Sequence, residues 1–298
     1  MKYTFKFTEK FNFWAFISIT LIAIGFSLMG LRAFESKPYL NFGIDFMGGN
    51  TFHLQLQESS NENTLKMIRE SLKSFNLENS QIQLSGEYEV FIKTLELKEN
   101  KTEQIMSHLK ETIGNFEILE IQQIGGNIGN SLKRQSIYII IFITLSLLIY
   151  VTFRFQFNFA LSALIALIHD GLIILSVASI LMLEINTAFI AALLTILGYS
   201  INDTIVIFDR IRENIEKSKA TQSLKEITNT ALNQTLTRTI NTSITTLIVI
   251  SSLILFGGST IKEFCIILFI GVVSGTYSSL CIASSTVVKF ERFNKINI

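Results

Sequence analysis

The sequence predicts an α-helical integral membrane protein with six transmembrane helices and one small α+β domain between the first two. Three observations support this class. Of the 298 residues, 49% are hydrophobic and 25 are phenylalanine, a composition that soluble domains rarely have. The hydrophobic residues are concentrated in six long runs. A polar region of about one small domain's length separates the first run from the second.

Each hydrophobic run is close to or above the roughly 17–25 residues that a helix needs to cross a bilayer. The runs are Phe13–Leu31, Ile137–Phe153, Phe157–Leu183, Thr187–Phe208, Ile240–Phe256 and Phe264–Val288. We therefore divide the chain into a tail with the first helix (1–34), an α+β domain (35–134) and a five-helix bundle (135–298). The bundle includes a loop at 209–239 and a C-terminal tail.

The lysine and arginine residues predict which side of the membrane the two termini share. Both tails, Arg154 and the loop at 209–239 are basic, whereas the two short loops on the opposite side carry one Lys and two Glu. By the positive-inside rule, both termini are cytoplasmic and the 35–134 domain is extracytoplasmic. Four basic residues flanking that domain run against the count, but the rule is weak beside a long translocated domain.

The 35–134 region alternates between strand and helix periodicity in the order β-α-β-β-α-β. This is the order of a ferredoxin-like split βαβ domain. Its side chains form no pattern typical of a catalytic or metal site, so we expect a contact surface, no enzyme activity and no metal.

Glycine-rich joints flank the α+β domain. Glycine permits backbone angles closed to other residues, and an aspartate can hydrogen-bond nearby main chain. We predict that four residues before the first strand form a hinge at the domain base: Gly43, Asp45, Gly48 and Gly49. A tight turn that starts a strand is favoured over a ligand site. A matching glycine group around Gly126 would let the domain swing as a body.

The predicted functional centre lies in the fourth hydrophobic run. A carboxylate near the middle of a bilayer costs roughly 3 kcal/mol or more, so an acid there indicates a functional site. Thr195, Tyr199, Asn202 and Asp203 fall at i, i+4, i+7 and i+8 and are predicted to share one helix face. Lipid-compatible Ile and Val residues occupy the opposite side.

The fifth run begins with a polar line, Arg238, Thr242 and Thr245, at helical spacing. Asp203 and Arg238 are expected to lie near each other, because consecutive helices joined by a short segment tend to be neighbours. The guanidinium favours the charged acid and desolvation favours the neutral acid, which is the logic of a proton relay. A static polar contact that joins helices is the alternative interpretation.

His169 and Asp170, near the middle of the third run, are a second candidate for the same relay. The alternative is that they only satisfy neighbouring groups. In the last run, Gly271, Gly275 and Ser279 recur at every fourth position. Small residues on one face let helices approach closely, so this stripe predicts packing and no chemistry.

These residues resemble the SecD/SecF family of the bacterial protein-export machinery, in particular its smaller SecF branch. Five stretches carry the resemblance: FGIDFMGGN at Phe42–Asn50, ALIHDGLI at Ala166–Ile173, AALLTILGYSINDTIVIFDRIREN at Ala191–Asn214, ALNQTLTRTINTSITTL at Ala231–Leu247 and LFGG at Leu255–Gly258. Together with the six-span plan, the resemblance covers nearly the whole chain. One departure is Gly126, where the family pattern leads us to expect proline.

The resemblance implies a fold similar to one half of a resistance–nodulation–division (RND) transporter. It also implies a bacterial inner-membrane protein that pairs with SecD and assists preprotein movement through the SecYEG channel, using the proton gradient. The family's proton-pathway acid falls on Asp203 and its arginine partner on Arg238. Region 39–124 is then a base and contact domain. No GxxxxGK[ST] motif is present, so no nucleotide cofactor is expected.

Two other functions remain open. One is a proton-coupled exporter of small molecules or lipids with the same architecture, although such an exporter normally needs a second half with large external domains. The other is a non-conducting assembly subunit that holds SecD against the channel. Neither interpretation involves nucleic acid, because the net charge is only +1.

Overall fold

A computed structural model of the chain describes residues 5–77, 80–97, 99–218 and 222–294. Lys2, Lys219 and Lys295, three of the basic residues that predict the orientation, lie outside these ranges. The chain forms two compact units, which we describe separately. The first consists of Met1–Asn41 with Tyr138–Ile298, and the second of Phe42–Ile137.

The described elements follow one another in a simple order. They are a 3-10 turn (Phe7–Lys10), α1 (Phe11–Phe34), β1 (Asn41–Phe42), α2 (Ile44–Met47), β2 (Gly49–Leu56), α3 (Glu62–Lys73), β3 (Gln81–Ser85), β4 (Glu89–Thr94), α4 (Glu99–Ile113), β5 (Phe116–Ile124), α5 (Gly126–Arg154), α6 (Phe157–Leu181), β6 (Glu184–Ile185), α7 (Thr187–Lys217), α8 (Leu224–Phe256), α9 (Ser259–Tyr277), a π-helical segment (Ser278–Ala283) and α10 (Ser284–Asn294).

Six helices in the described part of the chain are long and apolar enough to cross a membrane. They are α1 with the preceding turn, α5, α6, α7, α8 and the continuous helix that runs from α9 through the π segment into α10. The six predicted spans are therefore confirmed as helices of membrane-crossing length.

The segment 209–239, predicted as a loop, is instead helical at residues 209–217 and 224–239. In the first stretch, Glu213 forms ion pairs with Arg210 and Lys217 one helical turn away, which supports α7 beyond its apolar part. Before the second stretch, Ser223 caps α8 in a capping box with Glu226. Hydrophobic runs identify only the part of a helix that can contact lipid. The polar ends of α7 and α8 extend beyond those runs, so hydrophobicity does not reveal them.

The core of the first unit is built around α6 and α7. The isoleucines of α7 opposite the predicted polar stripe do not face lipid, because Ile196, Ile201, Ile207 and Ile211 are buried. Helices α6, α8 and α9 pack around α7, so its apolar side meets other helices. A central helix of a bundle is buried on most of its surface, which hydropathy alone does not reveal.

The small-residue stripe of the last helix packs closely on α7, as predicted. A Cβ atom built on Gly271 would lie 2.1 Å from Cδ1 of Ile196, and one on Gly275 would lie 2.9 Å from Cβ of Ser200. After this contact the helix widens into the π segment, whose six residues are all buried. Single π turns inside α-helices are frequent at functional sites.

The second unit contains a four-stranded antiparallel sheet in the order β3-β4-β2-β5, with α3 and α4 supplying its core. The predicted order β-α-β-β-α-β is present between residues 49 and 124. Phe52 and Leu54 of β2 and Ile92 of β4 are completely buried beneath the helices. Gly86, with φ 64°, occupies the turn between β3 and β4.

The four predicted hinge residues surround α2. Gly43 precedes the helix in an extended conformation and Asp45 lies inside it. Gly48 and Gly49 follow with φ 75° and 143°, which side chains rarely permit. A Cβ on Gly48 would lie 2.7 Å from Cα of Gly126, the first residue of α5. In this structure the glycines therefore permit close backbone packing within the unit.

Candidate functional site

Helix α7 brings the predicted polar stripe to the edge of the bundle core, but it separates two adjacent members. Asp203 is 6% exposed, whereas Asn202 is exposed. Neighbouring residues on an α-helix point about 100° apart, so a stripe two residues wide spans both environments. Thr195 shares the exposed side, and half-buried Tyr199 donates to Oγ1 of Thr246 on α8 at 3.4 Å.

The Asp203 side chain is buried, and one of its two oxygens is unpaired among the described residues. Its Oδ2 atom has no hydrogen-bond partner in the described part of the chain, and no ion pair within 4 Å reaches the side chain. A buried polar group left unpaired costs about 1–3 kcal/mol, and a charged group costs more. An unpaired buried carboxylate in a membrane span is suited to taking up a proton or water.

Arg238 lies on α8, a neighbour of α7, and acts on Asp203 electrostatically without forming a salt bridge to it among the described residues. The predicted polar line is present, because Arg238, Thr242 and Thr245 are all exposed on α8 together with Asn241. Thr242 Oγ1 donates to the Arg238 and Thr239 carbonyls of its own helix. Within the described residues, the Arg238 guanidinium forms no hydrogen bond or ion pair.

The second candidate pair has the opposite character. Asp170 is completely buried, and its two oxygens accept three hydrogen bonds from serine hydroxyls. Ser200 and Ser278 donate to Oδ2 at 2.7 and 2.8 Å, and Ser274 donates to Oδ1 at 2.8 Å. His169 Nδ1 lies 3.1 Å from Oδ1. Hydrogen bonds to a charged group contribute about 1.5–3 kcal/mol each, so this cluster compensates a buried carboxylate.

A hydrogen-bonded chain extends from this cluster to α1. His169 Nδ1 lies 3.1 Å from Oδ1 of Asp170, and Nε2 of the same ring lies 2.8 Å from the Ser18 hydroxyl. Ser18 also contacts the Tyr277 hydroxyl at 3.0 Å, and Tyr277 donates to the Trp14 carbonyl. Two residues of α1 are thus joined to α6 and α9 through side chains inside the membrane-spanning bundle.

Three serines that complete this site were not singled out by sequence reasoning: Ser200, Ser274 and Ser278. Ser274 and Ser278 are four residues apart and lie one turn along from each other, which is a weak signal that was available. Ser200 lies one residue after Tyr199 and belongs to a different helix. Their shared partner depends on tertiary packing, which spacing within one helix does not show.

The two predicted clusters are joined through the last helix. Ser279, next to Ser278 in the π segment, lies 2.8 Å from the Thr204 hydroxyl and donates to the Ser200 carbonyl at 3.2 Å. Thr204 directly follows Asp203 in α7. The structure therefore connects the Asp170 cluster to the backbone that carries Asp203, although the two carboxylates share no direct bond.

This fold and site define a polytopic membrane protein with ionisable side chains inside its spans, which is the general plan of transporters and translocase subunits. A profile of the family described as protein export membrane protein SecD/SecF, C-terminal, matches residues 104–292. The SecF protein translocase subunit of Sebaldella termitidis is 38% identical over 270 residues, which cover 90% of this chain and 87% of that protein. The SecF subunit of Desulfurispirillum indicum is 37% identical over 91% of this chain and 87% of its own length. The chain belongs to the SecF family.

Solved structures agree with this assignment. SecDF from Thermus thermophilus, a translocon-associated membrane protein, superposes with a TM-score of 0.86 at 31% identity. The match covers 98% of this chain and 39% of that one. A second structure, SecDF in its super-membrane-facing form, gives a TM-score of 0.69 at 30% identity and covers 99% of this chain and 40% of the other. This chain thus spans about two fifths of the solved SecDF chains.

Proposed function

We propose that this protein is the SecF subunit of an accessory complex of the Sec preprotein translocase. In this proposal it pairs with SecD in the bacterial inner membrane and assists preprotein movement through the SecYEG channel. The proton gradient drives a conformational cycle of the complex. Support comes from the SecF relatives and from the match to about two fifths of the SecDF chain.

The observation that carries the proton-coupled part is the unpaired Asp203 carboxylate. It is buried in a helix of membrane-crossing length, lacks a hydrogen bond to Oδ2 within the described residues, and lies next to the helix that carries Arg238. On α8, Thr239 Oγ1 is another buried polar atom without a partner among the described residues. Buried polar atoms without partners on neighbouring helices favour a place where protons or water enter during the cycle.

In this proposal Asp203 takes up the proton and Arg238 competes with the proton for the charged carboxylate. Tyr199, Asn202 and Thr242 line the approach. The exposed polar line of α8 supports a SecD partner at this face, because arginine and threonine side chains at membrane depth require protein or water around them.

The orientation follows from the basic residues. Both termini and the 218–223 connection are cytoplasmic, and the unit that contains the four-stranded sheet is a periplasmic domain of ferredoxin-like type. We assign it a base and contact role. The joint at Gly43–Gly49 is then where this domain changes its orientation during the cycle, because glycine has access to backbone angles closed to other residues.

The test is proton flux and gradient-dependent export in membrane vesicles that contain this chain with SecD, comparing wild type with Asp203→Asn. The variant keeps the shape of the side chain and removes its charge. We expect at least a tenfold loss of both activities, with the complex still assembled. The matched control is Asp209→Asn on the same helix, where the acid is partly exposed and paired with Arg154 at 3.2 Å.

Unchanged flux and export in Asp203→Asn would contradict the relay and favour the assembly subunit. That alternative predicts that Asp203 and Arg238 are dispensable together, provided SecD remains bound. The exporter of small molecules or lipids is the weaker alternative, because the relatives reported above are translocase subunits. It predicts proton flux that depends on a small substrate and is indifferent to a preprotein.

A further inference from the structure

We propose that Asp170 is a positioning residue: through its hydrogen bonds it holds α7 and the π segment so that the Asp203 carboxylate keeps its place and its proton affinity. This inference rests on the proposed function of Asp203 as the proton-binding acid. It separates two acids that the sequence groups into one relay, and it gives the buried serines a role in the proton cycle.

Asp170 and Asp203 differ in their hydrogen bonding. Asp170 receives three hydroxyl donors, and the His169 ring lies against the same carboxyl group. A proton exchanged at Asp170 would disturb a network that joins three helices. Oδ2 of Asp203 has no such partner among the described residues. Of the two, Asp203 is therefore the one that can change protonation without breaking a network.

Two hydrogen bonds fix α7 close to Asp203. Ser200 lies three residues before it and binds Asp170 at 2.7 Å, and Thr204 follows it and binds Ser279 at 2.8 Å. Residues three and four apart lie on the same helix face, so these two bonds hold α7 on both sides of Asp203. Rotation or sliding of α7 would break one bond or both.

The π segment joins these two hydrogen bonds. Ser278 donates to Asp170 at 2.8 Å, and its neighbour Ser279 contacts Thr204. If the π turn relaxed to an α-helix, the following residues would rotate by about 100° and shift by about 1.5 Å, and the contacts on one side would be lost. The hydrogen bond from Ser278 to Asp170 therefore stabilises the register that places Ser279 against Thr204.

The charged and titratable neighbours are consistent with these roles. At Asp203, the described residues supply Arg238 from α8. At Asp170 they supply His169 from its own helix and, through Ser18, Tyr277 from α9 with Cys281 beyond it. The permanent cation thus acts on Asp203, whereas neutral donors surround Asp170.

The experiment is infrared difference spectroscopy of the purified complex with SecD, recorded as pH is varied, with the carboxylic-acid carbonyl band as the signal. Wild type should show such a band, and Asp203→Asn should remove it. Asp170→Asn should keep the band and move its midpoint by about one pH unit, a tenfold change in proton affinity. Ser278→Ala, a milder change that leaves Asp170 in place, should move the midpoint in the same direction by less.

The matched control is Ser176→Ala, because Ser176 is buried on the same helix as Asp170 but bonds only to the Leu172 carbonyl of that helix. Its midpoint should equal that of wild type. A midpoint unchanged in both Asp170→Asn and Ser278→Ala would overturn the positioning role while leaving Asp203 as the proton site. A band lost in Asp170→Asn would also overturn it, because Asp170 would then carry the proton. If Asp203→Asn left the spectrum unchanged, the proposed function itself would fail.

Discussion

At the residue scale, burial alone does not tell what an intramembrane acid does. Asp170 and Asp203 are 0% and 6% exposed, yet Asp170 accepts three hydrogen bonds from hydroxyls and Asp203 has none to Oδ2 among the described residues. Burial removes water from both carboxylates, and only the protein donors decide which charge is compensated. The sequence identifies both acids as costly, but it does not show their donors, which come from other helices.

Gly49 is a position where the backbone itself excludes a side chain. With φ 143°, a Cβ there would lie 2.3 Å from the carbonyl oxygen of Thr94 on the paired strand. We predict that Gly49→Ala lowers the free energy of opening of the sheet by about 2–4 kcal/mol, since backbone strain and a steric clash each cost about 1–3 kcal/mol. Amide hydrogen exchange of β2 and β4 in the full-length chain measures this free energy.

The control for that substitution is Gly86→Ala. Gly86 also has a positive φ, 64°, but a Cβ there would meet nothing within 4 Å. It should cost about 1 kcal/mol, from backbone conformation alone. Equal costs at Gly49 and Gly86 would show that the close contact with Thr94 has no energetic weight.

At the element scale, the spans are readable from the sequence and their neighbours are not. The apolar runs predict six helices, because each must satisfy its own backbone in lipid. The charged ends of α7 and α8 extend beyond those runs, through the ion pairs of Glu213 and the cap at Ser223. The stripe at Gly271 and Gly275 predicts close packing correctly, but only the structure identifies α7 as the helix it meets.

The contact between α9 and α7 gives a prediction at this scale. Gly271→Ala should destabilise the bundle by about 1–3 kcal/mol, because the added methyl group would overlap Ile196. The double variant Gly271→Ala with Ile196→Ala should be less destabilised than the sum of the single variants by about 0.5–3 kcal/mol, because the smaller side chain leaves room. Unfolding of the purified chain in mixed detergent micelles measures all three free energies.

Gly198→Ala on α7 is the control for this cycle, since a Cβ there would meet nothing within 4 Å. Alanine favours a helix over glycine by about 1 kcal/mol, so this variant should be as stable as wild type or more stable. Strictly additive effects of Gly271→Ala and Ile196→Ala would place their destabilisation outside a shared contact.

At the scale of the whole molecule, α8 has a polar face that no described part of this chain covers. Arg238, Asn241 and Thr245 are exposed on α8, a helix long and apolar enough to cross a membrane. By contrast, α5 exposes apolar side chains such as Phe142, which lipid can cover directly. The sequence predicts both patterns, and the structure shows that no described part of this chain covers the polar one.

The last prediction follows from this asymmetry between α8 and α5. A photoactivatable crosslinker attached to Asn241→Cys or Thr245→Cys should join this chain to SecD in native membranes, and the same reagent on Phe142→Cys should give no such product. The native thiols Cys265 and Cys281 are 1% and 4% exposed, so they should contribute little labelling.

Crosslinking from Phe142 with equal yield would mean that the polar line of α8 does not select the partner. A water-filled cavity at α8 would instead give no SecD product at either position, with rapid labelling of Asn241→Cys by a charged maleimide. An arginine in a membrane-crossing helix can be accommodated by contact with protein or by water, and these outcomes distinguish the two.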